Sequence, residues 1–288
     1  MILSTSTSEE TTLRTLLHTG ERALCEAGIP SPRLEAELLL CGVLGCRRID
    51  LYLRQTERPT PEAISQFMGW LHRRAAREPL QYIIGEVEFC GMTLHVSPGV
   101  FIPRPETEWI VEAAKQHVPT PQRMLDLCTG SGALAIALAR TFPEAVVYAS
   151  DISRVALAVA EANATRHGCP IIFRAGDLFS PFEICDHPFD LIVCNPPYLS
   201  EADRRSLQPE VRDYEPAEAL YAAEGGTAFY RRILGEAPNW LAPGGTLILE
   251  MGDHQSEWLR QQVAGIYPLA FLPDLSGTDR VAVLKPHG

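Results

Sequence analysis

Met124-Leu125-Asp126-Leu127-Cys128-Thr129-Gly130-Ser131-Gly132 decides the fold. An apolar strand pattern runs into a short loop with two glycines, and an alanine-rich helical pattern, Ala133 to Arg140, begins at once. A strand that feeds a helix this way opens a β-α-β unit. Glycine in the loop lets a ligand approach the main chain at the mouth of the sheet, beside a helix N-terminus. A tight strand-to-helix turn with no ligand is the competing reading of the loop alone.

Outward from this stretch the same alternation continues. Val146 to Ala149, Ile171 to Phe173, Leu191 to Cys194 and Thr246 to Leu249 read as further strands, and Val155 to His167 as a helix. Short, nearly continuous apolar strands separated by helices predict a parallel sheet covered on both faces. Leu269 to Leu272 and Val281 to Leu284, joined by a turn at Ser276-Gly277, predict an antiparallel hairpin closing that sheet. Counted together these make a mostly parallel, Rossmann-like sheet of seven strands in an α/β fold.

Upstream the pattern is helical from Glu9 to about Arg77. Leu13, Leu16, Leu17 and Leu24 recur at helical spacing until Gly28 and Pro30 end the run. Ser31-Pro32 and Thr60-Pro61 each place a capping residue before a proline at the first helical position. Leu34, Leu38 and Leu39 supply the apolar stripe after the first pair, and Ile64, Phe67, Met68 and Leu71 after the second. Pro79 is read as a break, and Tyr82 to Val96 as a hairpin. The expected organisation is a helical bundle over 1–80, a hairpin linker over 81–99 and the α/β domain over 100–288.

The chain has 288 residues, is 46% hydrophobic and carries a formal charge of -11. Such acidity argues against broad binding to a polyanion, which depends on Lys and Arg displacing condensed counterions. Eight cysteines never form a C-x-x-C pair and are read as reduced thiols; no histidine stands at metal-ligand spacing, so no metal is expected. The opening MILSTSTSEE lacks the pattern of a secretion signal, and no apolar run approaches ~18 residues. A soluble, cytoplasmic, monomeric protein without direct nucleic-acid or membrane contact is expected.

Two constellations carry chemistry. Asp126, the loop Cys128-Thr129-Gly130-Ser131-Gly132, Asp151 and Asp177 with Leu178 all fall at strand ends. Asp151 stands about twenty residues past Gly132, where a carboxylate can accept from ribose hydroxyls, and Asp177 is within reach of an adenine amino group. The loop is not G-x-G-x-x-G, and Asp126 would repel a pyrophosphate, so a cationic, phosphate-free nucleoside such as S-adenosylmethionine suits it better.

The second constellation, Asn195-Pro196-Pro197-Tyr198, follows the strand Phe189 to Cys194 at the same edge. A planar NH2 group is a poor nucleophile because its lone pair is delocalised, so catalysis requires that lone pair to be held in line with the methyl donor. The Asn195 side-chain oxygen and the Pro196 carbonyl can each take one N–H, the prolines stiffen the turn, and Tyr198 can pack on the planar group. An ordinary Pro-Pro turn is the alternative.

Together these residues resemble the HemK/PrmC family of release-factor glutamine methyltransferases. The likeness extends to Glu78-Pro79-Leu80-Gln81-Tyr82-Ile83, Phe101-Ile102-Pro103-Arg104-Pro105-Glu106-Thr107-Glu108, Glu215-Pro216-Ala217-Glu218-Ala219-Leu220, and Glu250-Met251-Gly252 with Gln255. It implies a class I S-adenosylmethionine-dependent methyltransferase domain behind a helical domain that helps hold the release factor. It also implies methyl transfer to the glutamine of a Gly-Gly-Gln tip. By motif, Asp126, Cys128, Thr129, Gly130, Ser131, Gly132, Asp151, Asp177, Leu178 and Asn195 would contact the cofactor. Asn195, Pro196, Pro197 and Tyr198 would hold the glutamine, with Phe101, Arg104 and Glu106 at the pocket mouth unless they form only a surface loop. Cys128 stands where the family usually has glycine, so a Cβ must be accommodated there.

Three other functions fit parts of the pattern. An N6-adenine DNA methyltransferase shares the logic of Asn195 to Tyr198 but normally needs a basic groove. A dinucleotide-dependent oxidoreductase would use the strand-loop-Asp spacing alone. A binding module with a vestigial pocket would bind its partner without methyl transfer.

Overall fold

The computed structural model describes residues 11–183, 188–253 and 255–285. The opening decapeptide, with Glu9, and Cys185 lie outside the described residues. By its internal contacts the chain divides into two compact units: one comprises the described residues of Met1–Gly85 with Pro209–Tyr214, the other Glu86–Gln208 with Glu215–Gly288.

The first unit is helical: α1 (Leu13–Glu26), α2 (Pro32–Leu44), α3 (Arg48–Leu53), α4 (Pro61–Ala75) and α5 (Leu80–Ile84). Thr12 caps α1 in a capping box with Thr15, and the Thr60 hydroxyl accepts from Ala63 N–H at the start of α4. Leu13, Leu16, Leu17, Leu24, Leu39, Leu40, Phe67 and Leu71 form its core. Packing is close, for a Cβ on Gly20 would meet the Phe67 ring at 2.9 Å. Truncating a core aromatic such as Phe67 to alanine would cost about 3–5 kcal/mol.

The buried stripe of α2 is Ala36, Glu37, Leu39 and Leu40, while Leu34 is 40% exposed. The shift from the expected stripe has a local cause: buried Glu37 accepts from Arg33, Arg48 and the Tyr52 hydroxyl. Pro79 does not simply break a helix; it caps the next one, so Tyr82 and Ile83 are helical and buried rather than in a strand. Pro209–Tyr214 joins this unit through Glu210, which pairs with Arg74 and Arg77 at 2.8 and 2.7 Å, and through the Tyr214 hydroxyl on Ala76 O.

The second unit begins with the hairpin β1 (Glu86–Phe89) and β2 (Met92–His95), followed by α6 (Glu108–His117). Then β3 (Arg123–Leu127), α7 (Ala133–Thr141), β4 (Val146–Asp151), α8 (Arg154–Arg166), β5 (Ile171–Ala175), β6 (Phe189–Cys194), β7 (Leu241–Glu250), β8 (Leu269–Pro273) and β9 (Asp279–Leu284) build the sheet. Its order is β5-β4-β3-β6-β7-β9-β8, with β9 antiparallel to both neighbours and the other pairs parallel.

Alternation along the strands divides the core into two layers. Met124, Val147, Ala149, Leu191 and Val193 face α6 and α7, while Leu125, Leu127, Ile192, Leu247 and Leu249 face Tyr230, Ile233, Leu259 and Val263. The chain order reverses between β3 and β6, and in a doubly wound sheet ligands bind outside the strand ends at such a switch point.

Candidate active site

β3, β4 and β6 end side by side, since Leu127 lies in register with both Ser150 and Cys194. That register brings the glycine loop, Asp151 and Asn195 to one edge. The loop turns through left-handed backbone at Cys128 (φ 57°), Gly130 (φ 57°) and Gly132 (φ 82°). Cys128 therefore occupies a conformation that costs a residue with a Cβ about 1–2 kcal/mol, and the backbone keeps its turn despite the missing glycine. Gly132 has a steric need as well: an added Cβ would stand 3.1 Å from Ala160 Cβ, where α8 passes. Nothing lies within 4 Å of a Cβ added to Gly130, so the main chain there borders open space.

Asp126 is 1% exposed and turned toward its own loop, accepting from the Thr129 hydroxyl at 2.6 Å and Ala135 N–H at 3.1 Å. Burial pushes its carboxyl up to about 7, against those two hydrogen bonds. Its Oδ1 and the Ser131 hydroxyl lack partners among the described residues. Asp151 accepts from Gly130 N–H and Ser153 N–H, both at 2.8 Å, and burial raises its carboxyl above the usual range. Asp177 lies beyond β5, half-buried, with Oδ2 on Arg232 at 2.8 Å; Leu178 beside it is buried at φ 50°.

These residues fit a cationic nucleoside: open main chain at Gly130, a carboxylate on the next strand, and buried acceptors with spare capacity. Asn163, which the sequence did not single out, stiffens the cradle. Buried on α8, it donates to Ser131 O and His95 O at 2.9 Å and accepts from His95 N–H at 2.8 Å. Among the described residues no cluster of three or more His, Cys, Asp or Glu side chains could hold a metal ion.

Asn195 follows β6 directly, its side-chain N–H donating to the Thr107 hydroxyl at 3.1 Å. Pro196 and Pro197 are buried, and Tyr198 is fastened from several sides. Its hydroxyl donates to Glu250 Oε1 at 3.3 Å, and its carbonyl accepts from Gln255 Nε2 at 2.9 Å. Gly226 (φ 91°) and Gly252 press on it so closely that an added Cβ would lie 2.2 Å from Tyr198 O and 2.8 Å from its ring, respectively. Burial raises the Tyr198 phenol well above its ordinary value, so it stays protonated.

Phe101, Arg104 and Glu106 divide. Arg104 lies 4.8 Å over the Phe101 ring and pairs with Glu215, whose other oxygen accepts from Ile102 N–H at 3.1 Å. Its partner is thus neither Glu106 nor Glu108; Glu108 instead accepts from Cys90 N–H, and Glu106 is exposed. The sequence named Glu215, Glu250, Thr107 and Gln255 only within motifs and gave them no roles, because their partners are distant in the chain.

A doubly wound seven-stranded sheet with a glycine loop, an acidic residue at the second strand end and Asn-Pro-Pro-Tyr at the fourth defines a class I methyltransferase. Residues 15–85 match the PrmC N-terminal domain model and residues 91–209 the methyltransferase small domain. A release factor glutamine methyltransferase of Geobacter sulfurreducens is 43% identical over 94% of this chain and 95% of its own. The chain belongs to the release factor glutamine methyltransferase family. Among solved structures, a methyltransferase from Pyrococcus furiosus shares the fold at TM-score 0.53 and 20% identity, covering 69% of this chain and 90% of that one. The T. thermophilus 16S rRNA N2 G1207 methyltransferase, in complex with AdoMet and guanosine, does so at TM-score 0.50 and 20% identity, over 70% of this chain and 50% of that one. No described helix is long and apolar enough to cross a membrane.

Proposed function

We propose that this enzyme methylates the side-chain amide nitrogen of the glutamine in the Gly-Gly-Gln tip of class I peptide chain release factors, with S-adenosylmethionine as donor. The observation that carries the reading is the orientation of Asn195. Its NH2 donates to the Thr107 hydroxyl, which leaves Oδ1 as its acceptor at the strand end. Together with the carbonyl of the following Pro196, that oxygen would suit a planar NH2 group and would hold its lone pair perpendicular to the amide plane.

S-adenosylmethionine, when bound, supplies an electrophilic methyl carbon. Asp151 would take the ribose hydroxyls, while the main chain at Thr129 to Gly132 and the spare acceptors of Asp126 and Ser131 would face the rest of the donor. Asp177 would reach the base by exchanging its contact with Arg232. Tyr198, held by Glu250, Gln255, Gly226 and Gly252, presents a fixed wall for the glutamine amide. No strong base is required, because the nitrogen becomes acidic once it gains the methyl group and loses its proton to water.

The names of the curated relatives support the release factor as substrate, and the AdoMet-bound fold neighbour supports the donor. The test is mass spectrometry of a class I release factor after incubation with enzyme and methyl-labelled donor. One added methyl on the Gly-Gly-Gln glutamine is expected; label on another residue, or none, refutes the assignment.

A further inference from the structure

We propose that Cys128 and Cys194 are a reversible oxidation site: hydrogen peroxide joins them in a disulfide across the ends of β3 and β6, and the bridge closes the donor site. The inference goes beyond the reading above and rests on it only where Cys128 is taken to border the donor.

The sheet brings the two residues together. Leu127 is paired with Cys194 in parallel register, so Cys128 stands one step beyond that pair. A strand spacing of about 4.8 Å and a rise of about 3.3 Å per residue put the two Cα atoms about 6 Å apart. Disulfides span Cα atoms about 4.4–6.8 Å apart. Alternation would send the residue after Leu127 to the opposite face. The left-handed turn at Cys128 (φ 57°) instead returns its side chain to the apolar layer that holds Leu127 and Cys194. Thiols in van der Waals contact must still close to an S–S bond of about 2.05 Å. That draws the start of the glycine loop and the residue before Asn195 toward each other by on the order of 1 Å, enough to spoil a preorganised site.

Such a site needs one thiol that meets the oxidant and a second that resolves it. Cys128 is half-buried in the loop whose main chain borders open space at Gly130, whereas Cys194 is 0% exposed. Burial, then the neighbouring Cys128 thiol and the carboxyls of Asp126 and Asp151, raise the Cys194 thiol well above its ordinary value, so it waits as a thiol. The Cys128 thiolate attacks one peroxide oxygen, the O–O bond breaks, and the other oxygen leaves as water. The Cys194 sulfur then attacks the sulfenic sulfur of Cys128; the S–O bond breaks, and a second water carries off the Cys194 proton. The thiol pair loses two electrons and one peroxide is reduced to two waters. A glycine would hold the same turn without strain but would bring no sulfur. A strained cysteine kept at that position is the kind of outlier that collects at functional sites.

The experiment treats reduced enzyme with hydrogen peroxide, with and without S-adenosylhomocysteine, and maps tryptic peptides under non-reducing conditions. Cys185 and Cys194 share one tryptic peptide, so fragment spectra must assign the bridge. A link between Cys128 and Cys194 is expected. Turnover on release factor should fall on the order of 10²-fold and S-adenosylhomocysteine affinity on the order of 10-fold, both restored by dithiothreitol. Cys194→Ala should keep its reduced turnover and form no bridge; Cys128→Gly, which should also form none, carries the test if Cys194→Ala does not fold. Cys128 and Cys194 recovered in unlinked peptides, a bridge between other cysteines in their place, or a bridged enzyme with undiminished affinity and turnover overturns the proposal. Bound S-adenosylhomocysteine should slow bridging on the order of 10-fold. Equal bridging rates with and without it would sink the placement of Cys128 beside the donor and leave the oxidation site standing.

Discussion

Gly226→Ala should disable catalysis from behind the site. The new Cβ would stand 2.2 Å from Tyr198 O, where ordinary contact begins near 3.4 Å, and the atom in its way is backbone rather than a flexible side-chain end. Tyr198 and the prolines before it must therefore move by about 1 Å, a displacement that can cost on the order of 10²-fold in rate, or roughly 2.7 kcal/mol of barrier. Alanine at φ 91° adds about 1–2 kcal/mol of backbone strain to the folded state. Turnover on a release factor, S-adenosylhomocysteine titration and thermal melting together measure these effects. A fall of about 10²-fold in kcat is expected, with a lower melting temperature and cofactor affinity within about 3-fold of wild type, because the glycine loop and Asp151 do not touch Gly226. Gly235→Ala is the control, since no atom lies within 4 Å of its added Cβ, and it should be neutral or slightly stabilising. A Gly226→Ala enzyme with near-normal kcat would refute the claim that the exact seat of Tyr198 matters.

Asn195→Ala should fold and lose roughly two to three orders of magnitude in kcat, the usual cost of one preorganised polar group; single-turnover kinetics measure it. Asp151→Ala should weaken cofactor binding more than it slows the chemical step, because a ribose contact is alike in ground and transition states, and calorimetry with S-adenosylhomocysteine checks this. Glu250 is raised in the fold to about 7, so the folded state holds its proton where the unfolded state has lost it. Stability should therefore fall as pH rises from about 4.5 to about 7 and level off above, a loss of order 1–3 kcal/mol, and urea denaturation of Glu250→Gln should lack that share of the slope.

Local pattern made most of the sheet legible. Met124 to Leu127, Val146 to Ala149 and Ile171 to Phe173 are apolar runs that end in turn residues, and the structure lengthens each by one or two residues only. The expected helices at Ala133 and Val155 likewise begin within one residue of their observed starts. Pro79 misled because a proline that cannot continue one helix is well suited to begin the next. The short helix α3 went unread for lack of an apolar period, since it is held by Arg48 and Tyr52 converging on Glu37.

At the site, strand ends placed Asp151 and Asn195 on one edge because parallel register carries strand C-termini together. What the sequence could not give is the layer behind them. Thr107 lies 88 residues from Asn195, Glu250 lies 52 from Tyr198, and Arg104 reaches Glu215 across 111. No periodicity encodes such pairings; they exist only once the sheet has folded.

The central claim, that the substrate NH2 is held through both hydrogens, is tested most directly by a crystal structure with S-adenosylhomocysteine and a Gly-Gly-Gln peptide bound. The glutamine nitrogen should lie about 2.7–3.2 Å from both Asn195 Oδ1 and the Pro196 carbonyl, with its amide plane against Tyr198. A nitrogen that meets only one of these acceptors, or an Asn195 amide turned to donate to the substrate, would contradict the account.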